Sequence, residues 1–251
     1  MDYVNGEFYM RSAADTDPYI LHSAEDMIRL VEKIGFLPLF SNRIPGFSVE
    51  EHTPKGSWWT GKTETDPWEW RVSASPDDRV VYGKFFERKA GYIAKKWFPF
   101  FANFRRDGYD FDALYDDGLA PYRHKILMNE FEEGKSWLSP ELKAQAGFGK
   151  EGEKNFPGIV TELQMQTYLV TGAFRQRRNK KGKEYGMAAS VLMMPETKWG
   201  YSHVSSAYAE DPAFSWERLI TQIKSCFPEA SESDIRAVLG IRRTASGREI
   251  G

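Results

Sequence analysis

The sequence predicts a mixed α/β (α+β) fold, predominantly helical, with short antiparallel hairpins. Three observations carry that expectation. Within Ala24 to Ile34, Met27, Leu30, Val31 and Ile34 recur at i, i+3, i+4 and i+7, the period of an amphipathic helix. Val80 to Phe86 reads as a short strand. Two further segments, one holding Phe174, Gln176 and Arg178 and the other Tyr185, Met187, Ala189 and Val191, are spaced to pair across an Asn179-Lys180-Lys181-Gly182 turn.

Taken in order, Ser23 is placed to cap the first helix and Gly35 to stop it. The apolar stretch Phe36 to Phe40 follows, then a loop to about Asp66 that holds Trp58 and Trp59 and leads into Asp66-Pro67-Trp68-Glu69-Trp70-Arg71. Beyond the strand at Val80 the segment KFFERKAGYIAKKWFPFFANFRRDGYDFD interleaves aromatics with Lys84, Arg88, Lys89, Lys95, Lys96, Arg105 and Arg106. Asp107, Asp110, Asp112, Asp116 and Asp117 then reverse the sign, and a soft boundary falls near Gly118.

Pro121 to Glu133 reads as helical, closed by Gly134. Ser139, Pro140 and Glu141 supply an N-cap, an N1 proline and an early acid for a short helix to about Ala146, broken by Gly147-Phe148-Gly149. A third helix is expected from about Pro157 to Leu169, with Phe156, Ile159, Val160 and Leu163 inward. Helix, short helix, helix, hairpin is the winged-helix order. Pro212 to Cys226 is amphipathic, with Trp216, Leu219, Ile220 and Ile223 inward, and Ser231 starts a last helix that Gly240 stops after Leu239. The expected division is therefore 1–118 as an aromatic-rich α+β region, 119–200 as a winged-helix-like unit, 201–240 as C-terminal helices and 241–251 as a tail.

Composition narrows the function classes. With 34 basic and 36 acidic residues the formal net charge is −2, so only the local distribution of charge can point to a polyanionic partner. The single cysteine, Cys226, excludes an internal disulfide and a cysteine-based zinc site, and its place late in a helix predicts a core position. The N-terminal MDYVNGEFYMRSAADTD has no apolar signal core, and no apolar stretch is long enough to span a bilayer. A reducing cytoplasm, without membrane, metal or cofactor, is the expectation. His22, His52, His124 and His203 show no ligand spacing.

Four features carry candidate chemistry. Arg175, Arg177, Arg178, Lys180, Lys181 and Lys183 crowd the predicted hairpin against one acid, Glu184. Such side chains suit the phosphates of double-stranded DNA, or else merely guard an exposed strand edge. Thr161, Gln164, Gln166 and Thr167 on the preceding helix offer uncharged groups suited to base edges, or form an ordinary half-exposed face. The aromatic and basic run 84–106 combines stacking with phosphate contact, or is core whose cationic stems cover apolar surface. Arg105 and Arg106 would then form internal ion pairs. Glu69 among Trp58, Trp59, Trp68 and Trp70 could be a general acid or base beside a stacking pocket, or lie in an aromatic core.

VYGKFFERKAGYIAKKWFPFFANFRRDGYDFD, then YRHKILMNEFEEGKSWLSPELK, then the helix and hairpin ending near YGMAASVLMMPE, resemble the AlkZ/YcaQ-type group. That group comprises bacterial proteins built of tandem winged-helix motifs and includes DNA glycosylases; shorter bacterial proteins described as related to AlkZ look similar too. The resemblance covers roughly residues 80–200 and implies DNA binding and, in active members, excision of alkylated or crosslinked bases. The family's Gln-x-Gln pair matches Gln164-Met165-Gln166 in letters, although here the pair sits mid-chain. Three readings stay open: a DNA-binding protein, a base-excision enzyme using Gln164, Gln166 or Glu69, and a small-molecule site in the tryptophan-rich half.

Overall fold

The computed structural model describes residues 20–179, 181–240 and 247, with two short paired strands before them, Asp2–Val4 (β1) and Glu7–Tyr9 (β2). Lys180 and, apart from Gly247, the tail expected at 241–251 lie outside the described residues. In chain order there follow α1 (Ala24–Ile34), β3 (Phe36–Pro38), α2 (Pro67–Ala74), β4 (Val80–Phe86), β5 (Lys89–Ala94) and α3 (Phe98–Arg106). Next come α4 (Phe111–Asp116), α5 (Tyr122–Met128), β6 (Trp137–Leu138), α6 (Ser139–Gln145), α7 (Phe156–Met165), β7 (Val170–Arg178) and β8 (Glu184–Met193). The last elements are α8 (Pro195–Trp199), α9 (Tyr201–Val204), α10 (Pro212–Cys226) and α11 (Glu232–Leu239). The fold is mixed α/β with antiparallel strand pairing, as the sequence predicts. Contacts divide it into two compact units, Met1–Phe98 with Trp216–Ile241, and a second built on Pro99–Ser215.

In the first unit α1 has the predicted bounds and caps. The Ser23 hydroxyl accepts the Asp26 amide at 3.2 Å, and Gly35, at φ +102°, returns its amide to the Val31 carbonyl. Strands β3 and β4 flank β5, with Leu37 and Tyr82 both opposite Tyr92. The β4–β5 hairpin turns through Glu87 and Arg88, at φ +48° and +64°, so two L-residues occupy the left-handed positions of a tight turn. Gly83 faces Gly91 across it, and a Cβ on Gly91 would lie 2.5 Å from the Phe86 ring and 2.7 Å from the Leu37 carbonyl oxygen. Glycine there lets an aromatic ring lie flat against the strand. Phe85, Phe86, Tyr92 and Phe98 are buried, whereas Lys84, Arg88 and Lys89 are exposed. Of the two readings of this run, its aromatics are core.

The second unit carries the order α5–β6–α6–α7–β7–β8. Strand β8 lies between β7 and β6, with Leu192 opposite Trp137 and Phe174 opposite Ser190. Its core joins Phe111, Leu127, Phe131, Leu142, Phe156, Ile159, Leu163 and Leu192, with the predicted Val160 packed half-buried beside them. Three boundaries shift. α5 tightens into a 3-10 turn at Asn129–Gly134, and α6 is capped by Leu138, one residue before Ser139. α7 stops at Met165 because Thr167 turns into the left-handed region at φ +66°. The Thr167 amide then reaches the Gln164 carbonyl and the Tyr168 amide the Leu163 carbonyl, a Schellman closure with threonine where glycine is usual. Cys226, expected in the core, is exposed at the end of α10.

Candidate nucleic-acid interface

The hairpin β7–β8 is shaped by its own polar groups. The Asn179 side-chain oxygen accepts the amides of Lys181 and Lys183 at 2.9 and 3.1 Å, and Gly182 takes the left-handed position at φ +77°. A bulge between Arg175 and Arg177 places three residues of β8, Gly186 to Ala188, against Gln176 alone. There Gly186, at φ +69°, leaves room for Arg177: a Cβ would lie 2.7 Å from its Nη2. The Arg177 guanidinium instead lies over the Tyr185 ring, 5.0 Å from the centroid.

Arg175, Arg178, Lys181 and Lys183 point to solvent, and Arg177 is half-buried. Arg178 meets Glu184 at 3.1 Å on the surface. Five described cations therefore face one carboxylate on a projecting hairpin; the sixth, Lys180, is not described. Tyr185 and Met187 are also exposed on it, at 49% and 71%.

Both roots of the hairpin are tied by one buried residue that the sequence reading names only within the aromatic and basic run 84–106. Arg106, 1% exposed, donates from Nη2 to the Thr167 carbonyl at 2.7 Å and from Nε to the Thr167 hydroxyl at 3.3 Å. Its Nη1 reaches Glu196 Oε1 at 2.5 Å and the Tyr208 hydroxyl at 3.0 Å, and Tyr168 stacks beneath the guanidinium. Thr167 and Tyr168 stand just before β7 and Glu196 just after β8. Burial opposes the charge on Arg106, but Glu196, Tyr208 and Tyr168 together outweigh it and hold the group above its ordinary value. Burial also pushes the Tyr208 hydroxyl up to about 12. The internal ion pair expected at Arg106 thus exists, with Glu196 and not with the neighbouring aspartates. The signal in the sequence was a pair of arginines closing an aromatic helix; its partner ninety residues on carried none.

Beside these roots is a cavity of about 480 Å³. Phe111, Met128, Phe131, Tyr168 and Arg106 are its buried floor, and Asp110, Asp112, Glu132, Asn129 and Tyr201 its exposed rim. The Tyr201 hydroxyl donates to Asp110 at 3.0 Å.

The other predicted site residues are placed as follows. Thr161 is buried and its hydroxyl bonds back to the Pro157 carbonyl at 2.8 Å. Gln164 is 4% exposed and donates to the Thr171 hydroxyl at 3.3 Å. Gln166 caps the end of α7, half-buried, with its Oε1 buried and without a hydrogen-bond partner among the described residues. The exposed positions of α7 include Pro157, while Gly158, Val160 and Glu162 are half-buried; no cation lies on this helix.

Glu69 belongs to the first unit, half-buried on α2. Trp70 is fully buried and Trp58 nearly so, with indole N–H groups given to the Glu64 carbonyl and the Thr53 hydroxyl. Trp59 is 42% exposed and leans on Trp58 at 5.9 Å, while Arg71 covers the half-buried Trp68 ring at 3.9 Å. Asp66 organises this corner by accepting the Trp59, Gly61 and Trp68 amides. Among the described residues no group of three His, Cys, Asp or Glu side chains is placed to hold a metal ion, and no helix is long and apolar enough to cross a membrane.

A family model described as AlkZ related matches residues 21–240. No curated protein and no solved structure matches the chain.

Proposed function

Since the chain belongs to the AlkZ-related family, we propose that it is a DNA-binding protein acting in DNA repair, and that its 119–200 segment grips the duplex as a winged helix. The order α5–β6–α6–α7–β7–β8, with β8 between β6 and β7, supports the winged-helix reading. The observation that carries the DNA reading is the hairpin itself. Along β7 burial gives way from residues 170–172 to the exposed Arg175, Gln176 and Arg178, so the cations sit on the solvent-facing outer half of the hairpin while Arg106 holds both roots.

In this reading Arg175, Arg178, Lys181 and Lys183 neutralise phosphates and release counterions, with Lys180 as a further contact and Arg177 shaping the strand. The inward placing of Thr161 and Gln164 favours grip on the backbone over base readout by α7. It also favours binding over excision, because excision needs a water-activating group beside a flipped base. Of the three residues proposed for excision, Gln164 is committed to Thr171, Gln166 holds an unspent oxygen, and Glu69 lies in the other unit.

The test is binding to a fluorescent duplex across a salt series. The log–log slope should be about −0.9 per phosphate neutralised. Replacing Arg175, Arg178, Lys181 and Lys183 together by Gln should flatten it by several units of slope. A slope unaltered by that fourfold change would sink the assignment of the hairpin.

A further inference from the structure

The cavity in the second unit has a composition at odds with a polyanion. Apart from Arg106 its buried floor is apolar, formed by Phe111, Met128, Phe131 and Tyr168, and Met194 adds a fifth apolar wall. Four carboxylates line it, Asp110, Asp112, Glu132 and Glu196, against one guanidinium, Arg106. Arg106 is not available to a ligand, since Glu196, Thr167 and Tyr208 occupy it. Lys125 offsets Asp112 at 2.8 Å from outside the lining. Asp110 and Glu132 stand on the exposed rim, next to the 56% exposed ring of Tyr201.

From this arrangement we propose that the cavity receives a planar organic cation, of the aromatic amidine or protonated nitrogen-heterocycle class, free in solution. At about 480 Å³ the space falls within the range of small-molecule sites. A flat apolar body is matched by the aromatic and thioether floor, and its positive edge by the rim carboxylates and the Tyr201 face. An anion would meet a net negative charge at the mouth, which Lys125 offsets only in part. A bare metal ion finds no three-ligand cluster among the described residues. The same charge disfavours a nucleotide still attached to its phosphates, so the site is separate from the hairpin and independent of the DNA reading.

Benzamidine, benzamide and benzoate are near-isosteric probes of charge +1, 0 and −1. Calorimetric titration of the full chain should give saturable binding of benzamidine, about tenfold tighter than benzamide, and none of benzoate. Asp110→Asn combined with Glu132→Gln changes only exposed rim groups, and the amide oxygen introduced at position 110 would still accept the Tyr201 hydroxyl. That variant should lose most of the preference for benzamidine while keeping its unfolding midpoint. Thr197→Trp, an exposed lining position, should block both benzamidine and benzamide. Equal binding of the three, or no benzamidine binding at millimolar concentration, overturns the proposal. Displacement of bound benzamidine by a short single-stranded oligonucleotide overturns it too, because the cavity would then lie in the path of DNA. A flat salt slope at the hairpin, by contrast, leaves it untouched.

Discussion

Arg106 and Glu196 meet at 2.5 Å from ninety residues apart, with the guanidinium 1% and the carboxylate 14% exposed. A charge so buried stands only because it is paired, and removing one partner strands the other in low dielectric. Arg106→Met is therefore expected to destabilise the protein by about 3–5 kcal/mol, and Glu196→Gln by a similar amount. Replacing both by Met should cost clearly less than the sum of the single losses. Urea unfolding of the four proteins measures the coupling; strictly additive losses would show that the pair does not act as a unit.

Thr167 gives the same residue a second task. A β-branched side chain at φ +66° is a strained choice for closing a helix, of order 1–3 kcal/mol. Two bonds from Arg106 fix it there. Thr167→Gly and Thr167→Val both keep the carbonyl bond and both lose the hydroxyl that accepts from Arg106 Nε, but only glycine relieves the strain, so Thr167→Gly should be the more stable of the two. Thermal unfolding of the two variants should separate by more than about 1 kcal/mol in that order.

Glu184 spends part of the hairpin's charge. It pairs with Arg178 at 3.1 Å on an exposed surface, a contact worth little to stability. Glu184→Gln should leave the unfolding midpoint unchanged and tighten DNA binding by a few-fold at low salt, with a salt slope steeper by up to about 0.9. Weaker binding by this variant would contradict phosphate contact at Arg178.

Gly186 tests the shape of the hairpin as opposed to its charge. Alanine there would be held at φ +69° with its Cβ 2.7 Å from Arg177 Nη2. The Arg177 tip must then leave the Tyr185 face, and the backbone strain adds about 1 kcal/mol or more. Gly186→Ala should weaken duplex binding with no change of net charge. Equal affinity would mean that the bulge and the Arg177–Tyr185 stack are immaterial to the grip.

What the sequence made legible follows from how local each cause is. α1, α10 and α11 have the expected bounds because periodicity and caps lie within a few residues of one another. The β4–β5 hairpin was hidden because Glu87 and Arg88 are not the Asn-Gly or Asp-Gly pair that announces such a turn. The end of α7 was hidden because a threonine held by Arg106 stands where a glycine would have been the signal. The basic hairpin was visible as a cluster of charge, whereas its clamp and the cavity beside it depend on residues from Arg106 to Tyr208 that meet only in space.

His124 predicts how the second unit responds to acid. The ring is buried, its Nε2 lies 3.1 Å from Glu162, and its Nδ1 has no hydrogen-bond partner among the described residues. Protonating Nδ1 would bury an N–H with nothing to accept it. Burial lowers the native pKa below the ordinary 6.5, although Glu162 pulls the other way. Below pH 6.5 the unfolded chain thus binds a proton that the native one resists, and stability must fall as the pH drops from there toward the native pKa. Measured by urea midpoint, this acid loss should vanish from the difference between about pH 7 and about pH 5.5 in His124→Phe. It should extend to lower pH in Glu162→Gln, where the charge that favours protonation is gone. If His124→Phe keeps the full acid loss of the wild type, the sensitivity belongs to another group.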